Sequence, residues 1–225
     1  KNTIQEPSAS NQYYDLIIDK GLQHKYIITN FNYQYDTRDI YIDPTKGFLF
    51  QFQGSNYKGL NLTESFKTFS FYFKQYFSPK INFLNSSVLS YKVYTLFKYP
   101  DYENLPIFSY EYLGGEDYVR GYSSIVDKNP IETKEKIENS NVFYTAFEIQ
   151  NTILKRKNYD KIEFGLDGFV FIDLGLGSKK YNQFNLNNTL IGYGFGLKFF
   201  ITPVTLSFSI GFNPYGQSHF HLSSD

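Results

Sequence analysis

Apolar and polar side chains alternate with a period of two along most of this chain, and that alternation constrains its fold more than any other feature. Between Ile27 and Asp36, the odd positions carry mostly apolar side chains and the even positions mostly polar ones. Because successive side chains of a strand point to opposite faces, this pattern predicts strands with one apolar and one polar face. The same alternation recurs in further segments, namely 47–53, 66–79, 88–98, 143–153, 161–174, 190–200, 204–212 and 218–225. The sequence therefore predicts an all-β protein of nine strands, with residues 13–19 as a candidate tenth.

The length of these segments and the connections between them favour a membrane barrel. Most segments are about ten residues long, which suits a strand tilted across a bilayer and exceeds the usual length in soluble proteins. Connections are tight at 43–47 and 201–203 and long at 55–65, 99–142 and 175–189. Short turns on one side and long loops on the other are typical of outer-membrane barrels. We expect an antiparallel transmembrane β-barrel, and the alternative is a large soluble β-sandwich, which also alternates.

Composition excludes several classes of function and is compatible with a single domain over residues 1–225. Lys and Arg together number 22, as do Asp and Glu, so the net charge of zero gives no support for nucleic-acid binding. The chain has no Cys, which excludes disulfides and thiolate metal sites. No stretch approaches the 18 or so apolar residues of a transmembrane helix. Met is absent even at position 1, so we expect a processed product or a segment of a longer precursor.

The longest gap between predicted strands, about residues 99–141, contains the most unusual local sequence of the chain. Its run 112–122 combines the pair Gly114-Gly115, a lone Arg120 and the following Gly121. Closing a hairpin requires none of these residues, so we expect the loop to fold into the lumen and carry Arg120 there. The alternative is an exposed loop with ordinary turn glycines.

A buried Arg120 requires carboxylate partners, because an unpaired buried guanidinium costs several kcal/mol. The alternation places Glu148, Asp167 and Asp173 on the polar face of the two strands that follow the loop. Arginine can pair with carboxylates in a bidentate manner, which orients the loop as well as holding it. Gly121 would let the loop backbone approach the barrel wall closely.

Other chemistry-bearing patterns are weak. His219 and His221 share a face at strand spacing, but polar residues of a lumen or interface explain them more simply than a metal site does. The acidic row Glu163, Asp167 and Asp173 is likewise explained by a charged lumen wall. Hydrolase, phosphate-loop and metalloprotease motifs are absent from the sequence. We therefore expect no cofactor, no metal and no catalytic residues.

The run 112–122 resembles the loop signature of the BamA/TamA-type superfamily of outer-membrane assembly and secretion barrels, also called the bacterial surface antigen family. That signature reads aromatic-x-Leu-Gly-Gly, a short spacer, then Val/Leu-Arg-Gly-Phe/Tyr. The residues that match it here are Leu113, Gly114, Gly115, Val119, Arg120, Gly121 and Tyr122.

Three further stretches are similar to the same family, and together the resemblance covers about residues 26–225. Ala146–Glu148 and Phe171–Gly175 resemble the strands that carry the family's lumenal acids. The resemblance implies that Arg120 packs against Glu148 and Asp173. A strand–turn–strand element is similar as well, through Asp36, Arg38, Asp39, Pro44 and Gly47.

The resemblance implies a protein of an outer membrane, most simply a bacterial one, that assembles, inserts or translocates other proteins. The implied partners are the lipid bilayer, unfolded outer-membrane or secreted client proteins, and periplasmic or lipoprotein accessory subunits. In the family, the seam between the first and last strands opens sideways, and residues 218–225 would form one side of it. Family barrels have sixteen strands, so we expect the carboxy-terminal portion of a larger barrel. The alternative is a complete small barrel, but an eight-stranded one has no room for a folded loop.

Three other functions remain open at the level of the sequence. The barrel could be a dedicated transporter of one secreted partner, or the membrane anchor of an enzyme such as a patatin-like lipase. A passive porin is a more distant alternative, and it predicts high conductance where a plugged barrel predicts little.

Overall fold

A computed structural model describes residues 25–60, 64–79, 86–123, 138–159, 162–201 and 204–224. These residues form almost entirely strands, as the alternation predicts. The strands are β1 (Tyr26–Asp36), β2 (Gly47–Gly59), β3 (Phe66–Phe77), β4 (Ser87–Tyr99), β5 (Glu111–Tyr112), β6 (Glu138–Asn139), β7 (Asn141–Tyr159), β8 (Ile162–Ser178), β9 (Leu190–Ile201), β10 (Val204–Phe212) and β11 (Ser218–Ser224). Short 3-10 helices cover Tyr102–Asn104, Ile107–Ser109 and Leu186–Asn188.

Nine of these strands form one antiparallel sheet in the order β1-β2-β3-β4-β7-β8-β9-β10-β11. Each strand of this sheet pairs with the sheet strand that precedes or follows it along the chain. The short strands β5 and β6, which come between β4 and β7 in the sequence, pair with each other in a separate two-stranded sheet. The all-β class and the nine predicted strands are therefore confirmed. The candidate tenth strand at 13–19 lies outside the described residues. Strands β1 and β11 are the two edges, and within the described part of the chain they do not pair with each other.

Three of the predicted connections differ from those in the structure. The predicted long loop at 55–65 is wrong in its first half, because β2 continues to Gly59 and pairs with both β1 and β3. The predicted loop at 175–189 is also too long, since β8 runs to Ser178 and pairs with β7 there. In both places the apolar alternation has ended, but hydrogen bonds to a neighbouring strand still pair the backbone groups and extend the strand. The β1–β2 connection covers 37–46, which is longer than the tight turn predicted at 43–47.

The face predicted to be apolar is the outer face of the sheet. Its side chains are about half exposed, as at Phe147 (53%), Ile172 (51%), Phe195 (54%) and Phe220 (66%). An exposed apolar face of this extent fits a lipid environment. Among the described residues no helix is long and apolar enough to cross a membrane, a finding that does not bear on crossings made by strands.

The buried apolar cluster of the protein lies on the inner face, where the loop between β4 and β7 packs against the sheet. From the loop, Leu113, Val119 and Tyr122 are at most 2% exposed. They pack with sheet residues that include Val142 and Tyr144. Because side chains from β3 to β11 line one cavity beneath this loop, the sheet curls around it. The loop therefore supplies much of the core that the open sheet lacks.

Candidate functional site

The connection between β4 and β7 lies against the inner face of the sheet, and we call its described part, residues 100–123 and 138–140, the lumenal loop. Its motif residues fold back on themselves. The Val119 amide donates to the Leu113 carbonyl at 3.0 Å, and the Gly115 amide donates to the Tyr122 carbonyl at 2.9 Å. Gly115 has a φ of +95°, and a Cβ atom at Gly114 would overlap the backbone of Ser123. The glycine pair is therefore what permits this compact fold of the motif segment, residues 112–122.

Three glycines on successive strands form a bed under the motif segment. They are Gly175 on β8, Gly192 on β9 and Gly211 on β10. A Cβ atom at Gly192 would overlap the Arg120 carbonyl oxygen, and one at Gly211 would overlap the Gly121 amide. The loop backbone therefore lies directly on the sheet, at a distance that a larger residue would prevent. The alternation places Gly192 and Gly211 on the polar face of their strands, whereas Gly175 falls at the start of the loop predicted at 175–189.

Arg120 lies at the centre of this contact and is 6% exposed. Its guanidinium forms a bidentate pair with Asp173, from Nε to Oδ2 at 2.8 Å and from Nη2 to Oδ1 at 2.9 Å. The Arg120 amide also donates to Asp173, at 3.1 Å, and Nη1 reaches Oε2 of Glu148 at 3.3 Å. The Arg120 Cζ lies 3.4 Å from the ring centroid of Phe171. The structure thus brings Arg120 together with both acids named from the sequence and adds an aromatic surface beneath it.

The surroundings of Arg120 favour its charged form. Burial by itself lowers the pKa of an arginine, but the hydrogen bonds to Asp173 and the charges of Asp173 and Glu148 raise the pKa of Arg120 on balance. The guanidinium is therefore a permanent charge whose compensation depends on the sheet.

Asp167, the third acid considered for Arg120, lies elsewhere. It is six residues from Asp173 along β8, a separation of roughly 20 Å at the usual strand rise. Its carboxylate accepts from Nε2 of Gln150 instead. Gln150 in turn accepts from Nζ of Lys198 at 2.9 Å, and Lys198 lies 3.7 Å from Glu148. A chain of polar contacts thus runs along the inner face away from Arg120.

The strand–turn motif lies at the other end of the inner face, because strand directions alternate between it and the loop. Arg38 forms a bidentate pair with Asp36, at 2.9 and 2.7 Å. The carboxylate of Asp39 accepts from the amide and the hydroxyl of Thr45, at 2.9 and 2.6 Å. Gly47 has a φ of +92°, and a Cβ there would overlap Thr37. Each motif residue therefore shapes the turn itself, together with Pro44, which is buried.

The β1–β2 turn also reaches across the inner face. Asp43 adopts a positive φ of 55°, and its carboxylate accepts from Nε2 of Gln150 at 2.8 Å and from Nη2 of Arg156. Both partners belong to β7, which is separated from β2 by two intervening strands. The turn and the lumenal loop are therefore joined through Gln150, Lys198 and Glu148. The alternation does not predict this contact, since Asp43 lies outside any alternating segment.

A second polar cluster holds the beginning of the lumenal loop. Lys98 on β4 donates to the Ser109 carbonyl and to Oε1 of Glu111, the latter at 2.6 Å. Oε2 of Glu111 accepts from the Tyr118 hydroxyl at 2.8 Å. Burial and the neighbouring charge of Glu111 raise the pKa of Tyr118, which keeps its hydroxyl a donor. The loop is thus fixed at two places, by Arg120 and by Lys98.

The β10–β11 hairpin holds the motif segment on a third side. The Gly121 amide donates to Nε2 of His221 at 3.2 Å, and the Gly121 carbonyl accepts from Nδ2 of Asn213 at 2.8 Å. The Ser223 hydroxyl donates to Oε1 of Glu116 at 3.1 Å. Among the described residues, no group of three or more potential ligands is placed to hold a metal. His221 therefore lies on the inner face of β11 and contacts the loop.

The loop leaves part of the inner face open. A cavity of about 580 Å³ remains between the motif segment and the sheet, and its lining is mostly polar and charged. Lys74, Lys92 and Lys198 contribute cations from the sheet, while Glu116 and Asp117 contribute acids from the loop. Burial raises the pKa of Glu116. The cavity therefore carries charges of both signs, cations from the sheet and acids from the loop.

Comparison with known proteins gives one family. The model of a family described as the Omp85 superfamily domain matches residues 1–223. No curated protein matches the chain. The family match spans the strand–turn motif, the lumenal loop and both acids that hold Arg120.

Proposed function

The chain belongs to the Omp85 superfamily, and on that premise we propose that it inserts or translocates client proteins through a lateral seam, with the lumenal loop as the controlling element. At the level of the superfamily, it is an outer-membrane β-barrel of protein assembly and secretion, and it acts on protein clients in a membrane. The barrels of this superfamily are not enzymes, and the proposal involves no catalytic step.

The docked loop is the observation that carries the proposal. Burying an ion pair such as Arg120 with Asp173 costs desolvation free energy, and breaking it leaves a buried charge without a partner. A loop that only blocks a passive pore does not require such a pair. The pair is a suitable way to hold a plug in one orientation, because the bidentate geometry specifies direction. The glycine bed supports this interpretation, since it serves only to bring the loop backbone onto the sheet.

An edge strand provides the place where a client could bind. β11 has seven residues and pairs only with β10 in the described sheet. Its other edge presents backbone donors and acceptors that a client strand could take up by β-augmentation. Phe220 and Leu222 point outward and are at least 60% exposed, as lipid-facing residues of a seam would be. We propose β11 as one side of the seam.

Site-specific cross-linking tests this assignment. A photo-reactive residue at position 222 on β11 should capture an unfolded outer-membrane client during assembly by the full-length protein in liposomes. Position 147 on β7 is the matched control, because Phe147 is also outward but lies in the sheet interior. Equal capture at both positions, or capture at 147 alone, would contradict a seam at β11.

A dedicated transporter of one secreted partner is the second candidate, and the polar cavity under the loop favours it. A partner passing through the lumen would meet that lining, whereas an inserted client would meet the seam. Cross-links from lumenal position 92 rather than from 222 would decide for the transporter. The remaining alternative is a membrane anchor for a lipase-type enzyme, which a hydrolase domain in the full-length protein would favour.

A further inference from the structure

Inward-facing residues of β11 contact the motif segment. His221 is 8% exposed, and its Nε2 accepts the Gly121 amide at 3.2 Å. Two residues further, the Ser223 hydroxyl donates to Glu116 at 3.1 Å. The strand that we assign to the seam is therefore bound to the loop as well as to β10.

The contact at Gly121 is specific to its backbone. A Cβ atom there would lie 2.5 Å from the Phe212 carbonyl oxygen, so the close approach requires glycine. Its amide and carbonyl are both paired with the β10–β11 hairpin, through His221 and Asn213. A buried amide that loses its acceptor costs the full desolvation of that group. As an acceptor at Nε2, His221 is the neutral imidazole with its proton on Nδ1.

We infer that His221 and Ser223 are positioning residues that couple docking of the lumenal loop to the pairing of β11, the strand that borders the seam, with β10. The inference rests on the proposed function and deepens it. With the loop docked, β11 is held by seven register pairs with β10 and by the two side-chain contacts to the loop. When the loop leaves the inner face, the two side-chain contacts are lost together, and β11 can separate from β10. The loop thus controls the seam from inside.

Hydrogen exchange tests the coupling without any client. His221→Leu removes the acceptor, whereas His221→Gln places an amide oxygen near the position of Nε2. We expect the amides of β11 to exchange roughly three- to ten-fold faster in the leucine variant, the effect of one lost hydrogen bond, and to recover in the glutamine variant. His219→Leu, on the same face of the same strand, is the matched control.

A second and stricter test weakens the docking of the loop and measures hydrogen exchange in β11. Glu148→Gln weakens the loop anchor on β7, and Glu148 contacts Arg120 and Lys198 rather than β11. If docking and pairing are coupled, this distant change must also speed exchange in β11. Asp36→Asn, which alters only the Arg38 pair in the β1–β2 turn and lies outside the network from Arg120 to Asp43, should not. Unchanged exchange in both His221→Leu and Glu148→Gln would overturn the inference.

Cross-linking connects the coupling to activity. Residues 1–225 contain no Cys, so Glu116→Cys with Ser223→Cys supplies the pair for a short, cleavable thiol reagent, with any cysteine elsewhere in the full-length protein replaced by Ser. The linked full-length protein should fold clients at least several-fold more slowly than the same variant before linking, and cleavage should restore the rate. Equal rates would overturn a role of the coupling in assembly. If the natural protein folds no client, the proposed function fails, while the exchange measurements still decide the coupling.

Discussion

Arg120 is compensated on several sides at once, and this arrangement explains why an arginine stands there. Asp173 accepts from two guanidinium N–H groups and from the backbone amide of Arg120, and Glu148 accepts from a third guanidinium N–H. The ring of Phe171 covers the flat face of the guanidinium. Lysine offers a point charge without the planar fork, so it could not satisfy this geometry. The pairing with Glu148 and Asp173 could be anticipated from strand phase and motif. Phe171 could not, because its role depends on how the loop is placed.

Replacing Arg120 should destabilise the docked loop. Arg120→Ala leaves Asp173 buried without its partner, a loss of roughly 3–5 kcal/mol for a dry site and less where water enters from the cavity. Arg120→Lys should fall between this variant and the natural protein. Unfolding in urea and protease sensitivity of the loop measure the effect. Arg156→Ala is the control, since its partly exposed pair with Asp43 should contribute about 1 kcal/mol or less.

The lowered pKa of the Asp39 carboxylate predicts that the stability of the strand–turn motif depends on pH. Hydrogen bonds from the Thr45 hydroxyl, the Thr45 amide and other turn amides lower the pKa of Asp39 from 3.8 to about 2. A lowered folded-state pKa means that the stabilisation is present above pH 4 or so and is lost as the pH falls toward 2. The Thr45 amide resonance should therefore titrate in that window. Asp39→Asn should abolish this titration, and a midpoint near 4 would contradict the prediction.

At the scale of elements, the alternation of apolar and polar residues predicts the strands and their faces but not their ends. All nine strands predicted from it are present, and in β7 to β11 the positions predicted to be apolar are the more exposed ones, as an outer face requires. The ends of β2 and β8 were placed wrongly, because pairing with neighbours, rather than side-chain pattern, decides where a strand stops. The reach of the β1–β2 turn to β7 was missed for a related reason, since contact between non-adjacent strands leaves no periodic signal.

The glycine bed predicts a sharp steric effect on one strand. Gly192→Ala places a methyl group where the Arg120 carbonyl lies, so the loop must lift from the sheet. We expect increased protease cleavage in the lumenal loop and a destabilisation of about 1–3 kcal/mol, as for overpacked cores. Gly54→Ala on β2 is the control, because its nearest neighbour would lie at an ordinary 3.6 Å. Equal behaviour of the two variants would show that the loop is not docked on β9.

At the scale of the whole molecule, the open sheet and the docked loop depend on each other. The sheet curls around the loop, and the buried apolar cluster combines residues from both. The network from Arg120 through Glu148, Lys198 and Gln150 to Asp43 extends this dependence to the opposite end of the inner face.

A lumen closed in this way should conduct poorly. We expect the full-length protein in planar bilayers to pass little current in its resting state and to open when the loop is displaced. Deletion of residues 113–122 should raise the mean conductance several-fold, and Arg120→Ala should produce intermittent openings. Steady high conductance of the natural protein would instead indicate a passive pore.

The sequence by itself determined the class of fold, the faces of the strands and the acids available to Arg120. These follow from a period-two pattern and a loop signature, both of which are local properties of the chain. Only the tertiary structure decided that glycines of β8, β9 and β10 lie under the loop, that His221 holds Gly121 and that Asp43 reaches β7. Those contacts depend on the combined register and curvature of all the strands, and a one-residue shift in any register would reverse the faces that make them.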